Sequence, residues 1–202
     1  MKNKTPKDPF ETRCWSCESI TDPYQVFAAC FFYAPIGAFR KTIRQVLLSA
    51  ASSKVYHKED PAAALGMFKA VTSVLLAAHQ LYRQKKTSGL QITPEQFMDR
   101  RLYARSNAPC AEWDYLPKAL TAKEYQNPYA VFRRFFKDQP VEKWRQQVEQ
   151  ALEYALAVEA DDSGPGLLRL YIYLVKLVEA AHLIDVREVL HIGGHLKPAQ
   201  SM

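Results

Sequence analysis

Two histidines in near-identical surroundings are the residues best suited to chemistry in this 202-residue sequence. His79 ends the segment VLLAAH, and His182 ends the segment LVEAAH. Two imidazoles held close together can bind a transition metal, and carboxylates can complete the ligand shell. Glu179 has the Glu-x-x-His spacing of di-iron helical bundles, which puts it on the same helical face as His182. The sequence therefore predicts a candidate metal site at His79, His182 and Glu179.

A structural role for both histidines is the favoured alternative to metal binding. Leu76 stands in the first segment where the second has Glu179, so the second half of a di-iron pattern is missing. Buried polar groups must find hydrogen-bond partners. Each histidine would then bond to a polar residue that recurs in the chain, in two equivalent buried networks. The recurring pairs are Tyr24 and Tyr129, Arg40 and Arg145, and Gln45 and Gln150.

Two other groups of metal-binding residue types are interpreted as incidental. Cys14 and Cys17 have CxxC spacing, but the thioredoxin-like motif requires a preceding strand, and no second ligand pair completes a zinc site. Two glycines, Gly193 and Gly194, lie between His191 and His195 and indicate that the helix has already ended. Four cysteines in a chain of this length do not form a disulfide framework.

Positive charge is concentrated in the first half of the chain. Residues 1–105 carry sixteen Lys or Arg against eight Asp or Glu, whereas residues 106–202 carry eleven against thirteen. This asymmetry could guide an anionic partner to one half of the protein. Arg100, Arg101 and Arg105 give a candidate surface for nucleic acid or another partner. A solvated basic face is the simpler alternative, and no nucleic-acid-binding signature is present.

The elements that would position these residues occur twice. The segment 22–51 aligns without a gap with 127–156, and ten of the thirty aligned residues are identical. About two identities are expected from random pairing of average compositions. The two histidine segments follow at an offset of 103 residues. The sequence therefore predicts two copies of one structural unit.

Each copy has the pattern of three helices. Apolar residues recur at helical spacing, and proline stands where several helices would begin. The predicted helices span 23–33, 36–56, 61–86, 128–138, 140–160 and 166–190, with one more at 94–105. The predicted organisation is an N-terminal tail (1–21), repeat 1 (22–86), a helical insert (87–126), repeat 2 (127–190) and a C-terminal tail (191–202). The expected fold is an all-α six-helix bundle with a helical insert, in which large aromatic residues are buried between the halves.

The expected function is that of a non-enzymatic interaction or scaffold protein, which binds a macromolecular partner or self-associates. No Walker A, GxGxxG, GxSxG or HExxH motif is present, and seven glycines leave little material for phosphate-binding loops. A metal-binding bundle and a nucleic-acid-binding accessory protein are the alternatives. No secretory signal is predicted, and the apolar stretches are expected to be too short to span a membrane, so we expect a cytoplasmic protein.

Overall fold

The computed structural model describes residues 22–52, 55–58, 60–88, 90, 92–104, 112–157 and 166–189. Within these residues the protein is all-helical and contains no strand. Its seven α-helices are α1 (Pro23–Tyr33), α2 (Ile36–Ala50), α3 (Pro61–Arg83), α4 (Ala122–Gln126), α5 (Tyr129–Asp138), α6 (Val141–Leu156) and α7 (Leu167–Glu188). The six predicted helices outside the insert are present as α1, α2, α3, α5, α6 and α7.

Local sequence signals set most of these helix ends. The Asp22 and Asp60 carboxylates accept hydrogen bonds from backbone N–H groups in the first turns of α1 and α3. Pro35 lies at the break between helices α1 and α2, whose axes differ by 82°. Helix α2 ends at Ala50 rather than at the predicted residue 56. Tyr56 instead donates its N–H to the Ala155 carbonyl at 2.8 Å, a tertiary contact that continued helix would preclude.

Large aromatic side chains of the two aligned segments, 22–51 and 127–156, lie in the core. The predicted burial of six of them is confirmed, since none is more than 8% exposed; they are Phe27, Phe31, Phe39, Phe132, Phe136 and Trp144. The Trp144 indole N–H donates to the Phe135 carbonyl at 3.1 Å, and the two rings stack with centroids 4.2 Å apart. Helices α2 and α6 pack against each other, and both pack against α3 and α7.

The prediction of a continuous helix over 94–105 is wrong for the part of that segment the structure describes, 94–104. Two 3₁₀ turns, Pro94–Gln96 and Arg100–Leu102, replace it. The Thr93 N–H donates to the side-chain oxygen of Gln96 at 3.0 Å, as in a capping box, but this bond starts only the first of these turns. The Asp99 carboxylate then accepts the Arg101 N–H at 3.0 Å, and this local bond starts a new turn instead of extending the first. The short helix α4 was not predicted.

Helix α3 ends at Arg83 rather than at the predicted residue 86, but it resembles a membrane span more closely than was expected from the sequence. Among the described helices it is the one that matches a membrane span in length and composition, with a mean hydropathy of 1.5 in its most apolar window; α1 and α2 match together if counted as one bent span. In α3, 56% of that window is buried inside the protein. Its buried residues pack against the surrounding helices, as those of a central core helix do.

Candidate functional site

One face of α2 borders a cleft of about 580 Å3. We call this the basic cleft; its walls are α2, α7 and the end of the insert, residues 114–119. Lys41, Arg44 and Leu48 follow one another at i, i+3 and i+7, so they project from the same side of α2. The buried side of the same helix, which includes Phe39, Ile43 and Val46, packs into the core. The amphipathic pattern of α2 therefore fixes which of its residues line the cleft.

The far wall of the basic cleft combines apolar and polar groups. Helix α7 contributes Ile172, which is 44% exposed, and the buried Val175. The insert contributes Asp114 and Lys118. Leu48, opposite on α2, is 58% exposed. Apolar side chains so exposed and grouped around one cleft often mark a binding surface.

A smaller pocket of about 480 Å3 continues the cleft beyond the end of α2. The two cavities share Gln45 and Leu48. The smaller one, which we call the adjoining pocket, is also lined by His57 and Lys58. Together they make a groove along α2.

The lining of this groove is strongly basic. Five Lys or Arg residues line its two parts: Arg40, Lys41, Arg44, Lys58 and Lys118. Among the described lining residues, Asp114 is the one carboxylate. Cationic groups along a concave surface attract anionic ligands and exclude cationic ones.

Arg40 of α2 is hydrogen-bonded to the part of the insert that lines the groove. Its guanidinium donates to the Glu179 carboxylate at 2.9 Å, to the Leu116 carbonyl at 2.8 Å and to the Asp114 carbonyl. Glu179 is 1% exposed, and its two oxygens also accept the N–H groups of Lys118 and Ala119 at 2.8 and 2.9 Å. A buried ion pair is tolerated when such additional hydrogen bonds satisfy it. This network holds residues 114–119 in place as a wall of the cleft.

Two more charged residues of α7 hold other parts of the insert. Lys176 donates to the Glu124 carboxylate at 2.7 Å. Burial raises the pKa of that carboxyl, but the bonds from Lys176 and Thr121 outweigh burial, so the net shift of the pKa is downward. The buried Arg187 donates to the carbonyls of Leu102 and Tyr125 at 2.8 and 2.6 Å. Burial lowers the pKa of its guanidinium.

Sequence reasoning missed this role of α7, although a signal was present. Lys176, Glu179 and Arg187 are charged residues within a largely apolar segment. Their spacing of three and eight residues places them along one stripe of the helix. A charged stripe on a buried helix indicates polar partners, and here those partners lie in the insert.

The three predicted metal ligands have different surroundings. The His79 ring lies 4.9 Å from the Phe136 ring and 6.3 Å from the Tyr82 ring. The His182 ring lies 5.0 Å from that of Phe31 and 6.1 Å from that of Tyr115. Glu179 is bonded to Arg40 and to the insert, as described above. In the part of the chain that the structure describes, no group of three His, Cys, Asp or Glu side chains could hold a metal ion, and the metal site stays a prediction.

The predicted hydrogen-bond partners of the histidines do not form two equivalent networks. Tyr24 and Tyr129 bond to each other, with their hydroxyl oxygens 3.0 Å apart. Arg40 bonds to Glu179, which lies on α7, whereas Arg145 forms an ion pair with Glu149 of its own helix at 3.8 Å. The Arg40–Glu179 pair is buried, whereas the Arg145–Glu149 pair lies on the surface.

Of the arginines predicted to bind nucleic acid, the two that the structure describes, Arg100 and Arg101, do not line the basic cleft. Arg101 is paired with Asp99, with Nη2 2.7 Å from Oδ2. The hydrogen bond from Arg101 lowers the pKa of the Asp99 carboxyl. Arg100 is exposed in the same 3₁₀ turn. Arg105 lies outside the described residues.

The remaining candidate metal-binding residues, Cys14, Cys17, His191 and His195, also lie outside the described residues. No protein-family model, curated protein or solved structure matches this chain.

Proposed function

We propose that this protein is a non-enzymatic helical interaction protein, which binds a macromolecular partner through the basic cleft and the adjoining pocket. The observation that carries this proposal is the composition of the groove. It places basic residues, including Arg44 and Lys118, beside the exposed apolar side chains of Leu48 and Ile172. A surface with both features offers an anionic partner charge attraction together with apolar area to bury.

We also propose that the fold is a duplicated three-helix unit, with α1, α2 and α3 equivalent to α5, α6 and α7. Pairs of equivalent residues in contact support this. Tyr24 bonds to Tyr129, its counterpart 105 residues later, and the Phe27 ring lies 6.2 Å from that of Phe132. A residue meets its own counterpart at a two-fold axis, so these contacts are those expected of halves related by a pseudo-two-fold.

The two histidines support the same arrangement in a reciprocal way. His79 of the first copy packs on Phe136 of the second, and His182 of the second packs on Phe31 of the first. Phe31 and Phe136 are aligned residues of the repeat. A six-helix bundle in which each copy supplies the partner ring for the other accounts for both contacts.

The copies differ in the charge of the equivalent helix face. Lys41, Arg44 and Leu48 of α2 align with Gln146, Glu149 and Glu153 of α6. The core positions of the two helices remain apolar while this exposed face changes from basic and apolar to acidic. Such a difference supports a division of roles, in which α2 keeps a binding face and α6 serves as scaffold.

Site-specific photo-crosslinking in cells that contain the full-length protein tests the proposed function. A photoreactive phenylalanine analogue replaces Leu48 in the groove, and a matched variant carries it at Leu168, which is also exposed but lies outside the groove. We expect a discrete crosslinked product at position 48 that disappears when Arg44→Glu is added. Equal crosslinking at both positions, or none at position 48, contradicts the proposal.

A further inference from the structure

We infer that the groove along α2 takes an acidic, amphipathic helix of a partner protein. This inference rests on the function proposed above, and it names the chemistry of the ligand. An amphipathic helix binds by laying its apolar face into a groove while its polar residues contact the rim. The groove formed by the basic cleft and the adjoining pocket is lined by both apolar and basic side chains, which this mode of binding requires.

The dimensions of the groove suit a short helix. Helix α2 has 15 residues and is therefore about 22 Å long at about 1.5 Å per residue. The adjoining pocket extends the surface past the end of α2, to His57 and Lys58. A ligand helix of about five turns would span this length.

The distribution of charged and apolar side chains specifies the ligand further. Leu48, Ile172 and Val175 offer an apolar surface that would receive side chains spaced at i, i+3, i+4 and i+7 of the ligand. Arg44 and Lys118 flank this surface and would meet carboxylates on the sides of the ligand helix. Asp114, the one described carboxylate in the lining, would repel them.

Nucleic acid is a weaker match to the same groove. Single strands bind with their bases stacked on successive aromatic side chains. Tyr171 is the only Phe, Tyr or Trp among the described residues that line the groove, and it is half-buried. Exposed leucine and isoleucine offer no hydrogen bonds to phosphates. The exposed Arg100 lies elsewhere, so it does not extend the basic surface.

A second copy of this chain is also a weaker match. The exposed face of α6 carries Glu142, Glu149 and Glu153, which complement the charge of the groove. However, α6 contributes no exposed large apolar side chain among its described residues. It would leave the exposed apolar side chains of Leu48 and Ile172 without an apolar partner.

Fluorescence anisotropy with the full-length protein and defined probes tests this inference. The probe is a labelled peptide of about 18 residues that is made of Glu, Ala and Leu, with leucines on one helical face. The control peptides have the same composition in scrambled order, or Lys in place of every Glu. Single-stranded oligothymidylate is the nucleic-acid control. We expect binding of the amphipathic acidic peptide only, with an affinity that falls as salt rises.

Matched variants locate the binding surface. Arg44→Glu and Leu48→Ser should each weaken peptide binding by about tenfold or more, since each removes an attractive contact. Arg133→Glu and Leu168→Ser, exposed helical positions outside the groove, should change it by less than about twofold. Asp114→Asn should strengthen binding. All five positions are exposed, so the folded structure should persist in each variant.

Several results would overturn the inference. One is an acidic peptide that fails to bind, or that binds equally to wild type and Arg44→Glu. Another is oligothymidylate that binds with the same dependence on Arg44. A third is a dimer in sedimentation velocity that is lost in both Arg44→Glu and Glu149→Lys, which would identify a second copy as the occupant. If the peptide fails while crosslinking at position 48 succeeds, the inference falls and the proposed function stands; if both fail, both fall.

Discussion

Arg40 of α2 and Glu179 of α7 form a buried ion pair at 2.9 Å, although 139 residues separate them in the chain. The pair joins a residue of the basic cleft to the helix that holds the insert. Through it, the position of residues 114–119 depends on both helices. The shape of the candidate binding surface is therefore coupled to the core of the protein.

Removing one partner of this pair should be strongly destabilising. Glu179→Ala leaves the buried Arg40 guanidinium without its anionic partner and two backbone N–H groups without an acceptor. We expect a loss of about 3–5 kcal/mol in the free energy of unfolding. Arg40→Met with Glu179→Leu should cost less than the sum of the single changes, because no unpaired charge remains. Urea denaturation of the four proteins of the cycle measures this difference. Additive single effects would contradict the account.

Glu179→Ala should also allow the part of the insert around residues 118 and 119 to open locally, without unfolding of the whole protein. The N–H groups of Lys118 and Ala119 donate to Glu179. In Glu179→Ala, their hydrogen exchange under native conditions should become faster, because the bonds that protect them are lost. The amides in the middle of α6 should keep their order of protection relative to one another. Unchanged protection at residues 118 and 119 would show that Glu179 does not hold this segment.

High pH should lower the free energy of unfolding, because the buried phenol of Tyr129 ionises less readily in the folded protein than in the unfolded chain. Burial, together with the neighbouring Glu188 carboxylate, raises the pKa of this phenol well above its ordinary value. Its hydroxyl donates to Glu188 at 2.6 Å, so Tyr24 must donate to Tyr129. Because the folded-state pKa is raised, the stabilisation is complete below about pH 10 and is lost as the pH rises further.

The Tyr129→Phe variant isolates this contribution. Each phenol whose pKa is raised by folding should lower the free energy of unfolding by about 1.4 kcal/mol for each pH unit above pH 10. Tyr129→Phe should be less stable than wild type at pH 8 but should lose stability less steeply between pH 10 and 11. Urea unfolding at several pH values gives both slopes. Identical slopes for the two proteins would contradict a raised pKa at Tyr129.

Replacing His182 should act through packing. The side chain is 2% exposed and lies between the rings of Phe31 and Tyr115. We expect His182→Ala to lower the free energy of unfolding by about 2–4 kcal/mol, whereas Glu153→Ala on the exposed face of α6 should change it little. Elemental analysis of purified wild type should find no stoichiometric transition metal. A bound metal that is lost in His182→Ala would support the predicted metal site instead.

The sequence predicts the helices well and the candidate binding surface poorly, for physical reasons. Helix starts depend on local features such as Asp22, Asp60 and the prolines, which are visible in a single sequence. The 94–104 segment fails because two competing local caps, at Thr93 and Asp99, each start a turn of their own. Glu179 could be singled out by its type and spacing, but its partner Arg40 is set by tertiary packing across 139 residues. The basic cleft exists only once that packing has formed.

Binding in the groove is tested most directly by a chemical-shift map of the full-length protein titrated with the amphipathic acidic peptide. We expect the amide signals of Arg44, Leu48, Lys118 and Ile172 to shift progressively and to saturate together. The signals of Glu149 and Leu168, on faces outside the groove, should stay in place. Shifts centred on α6, or no shift around Leu48 at saturating peptide, would contradict the claim that this groove is the binding surface.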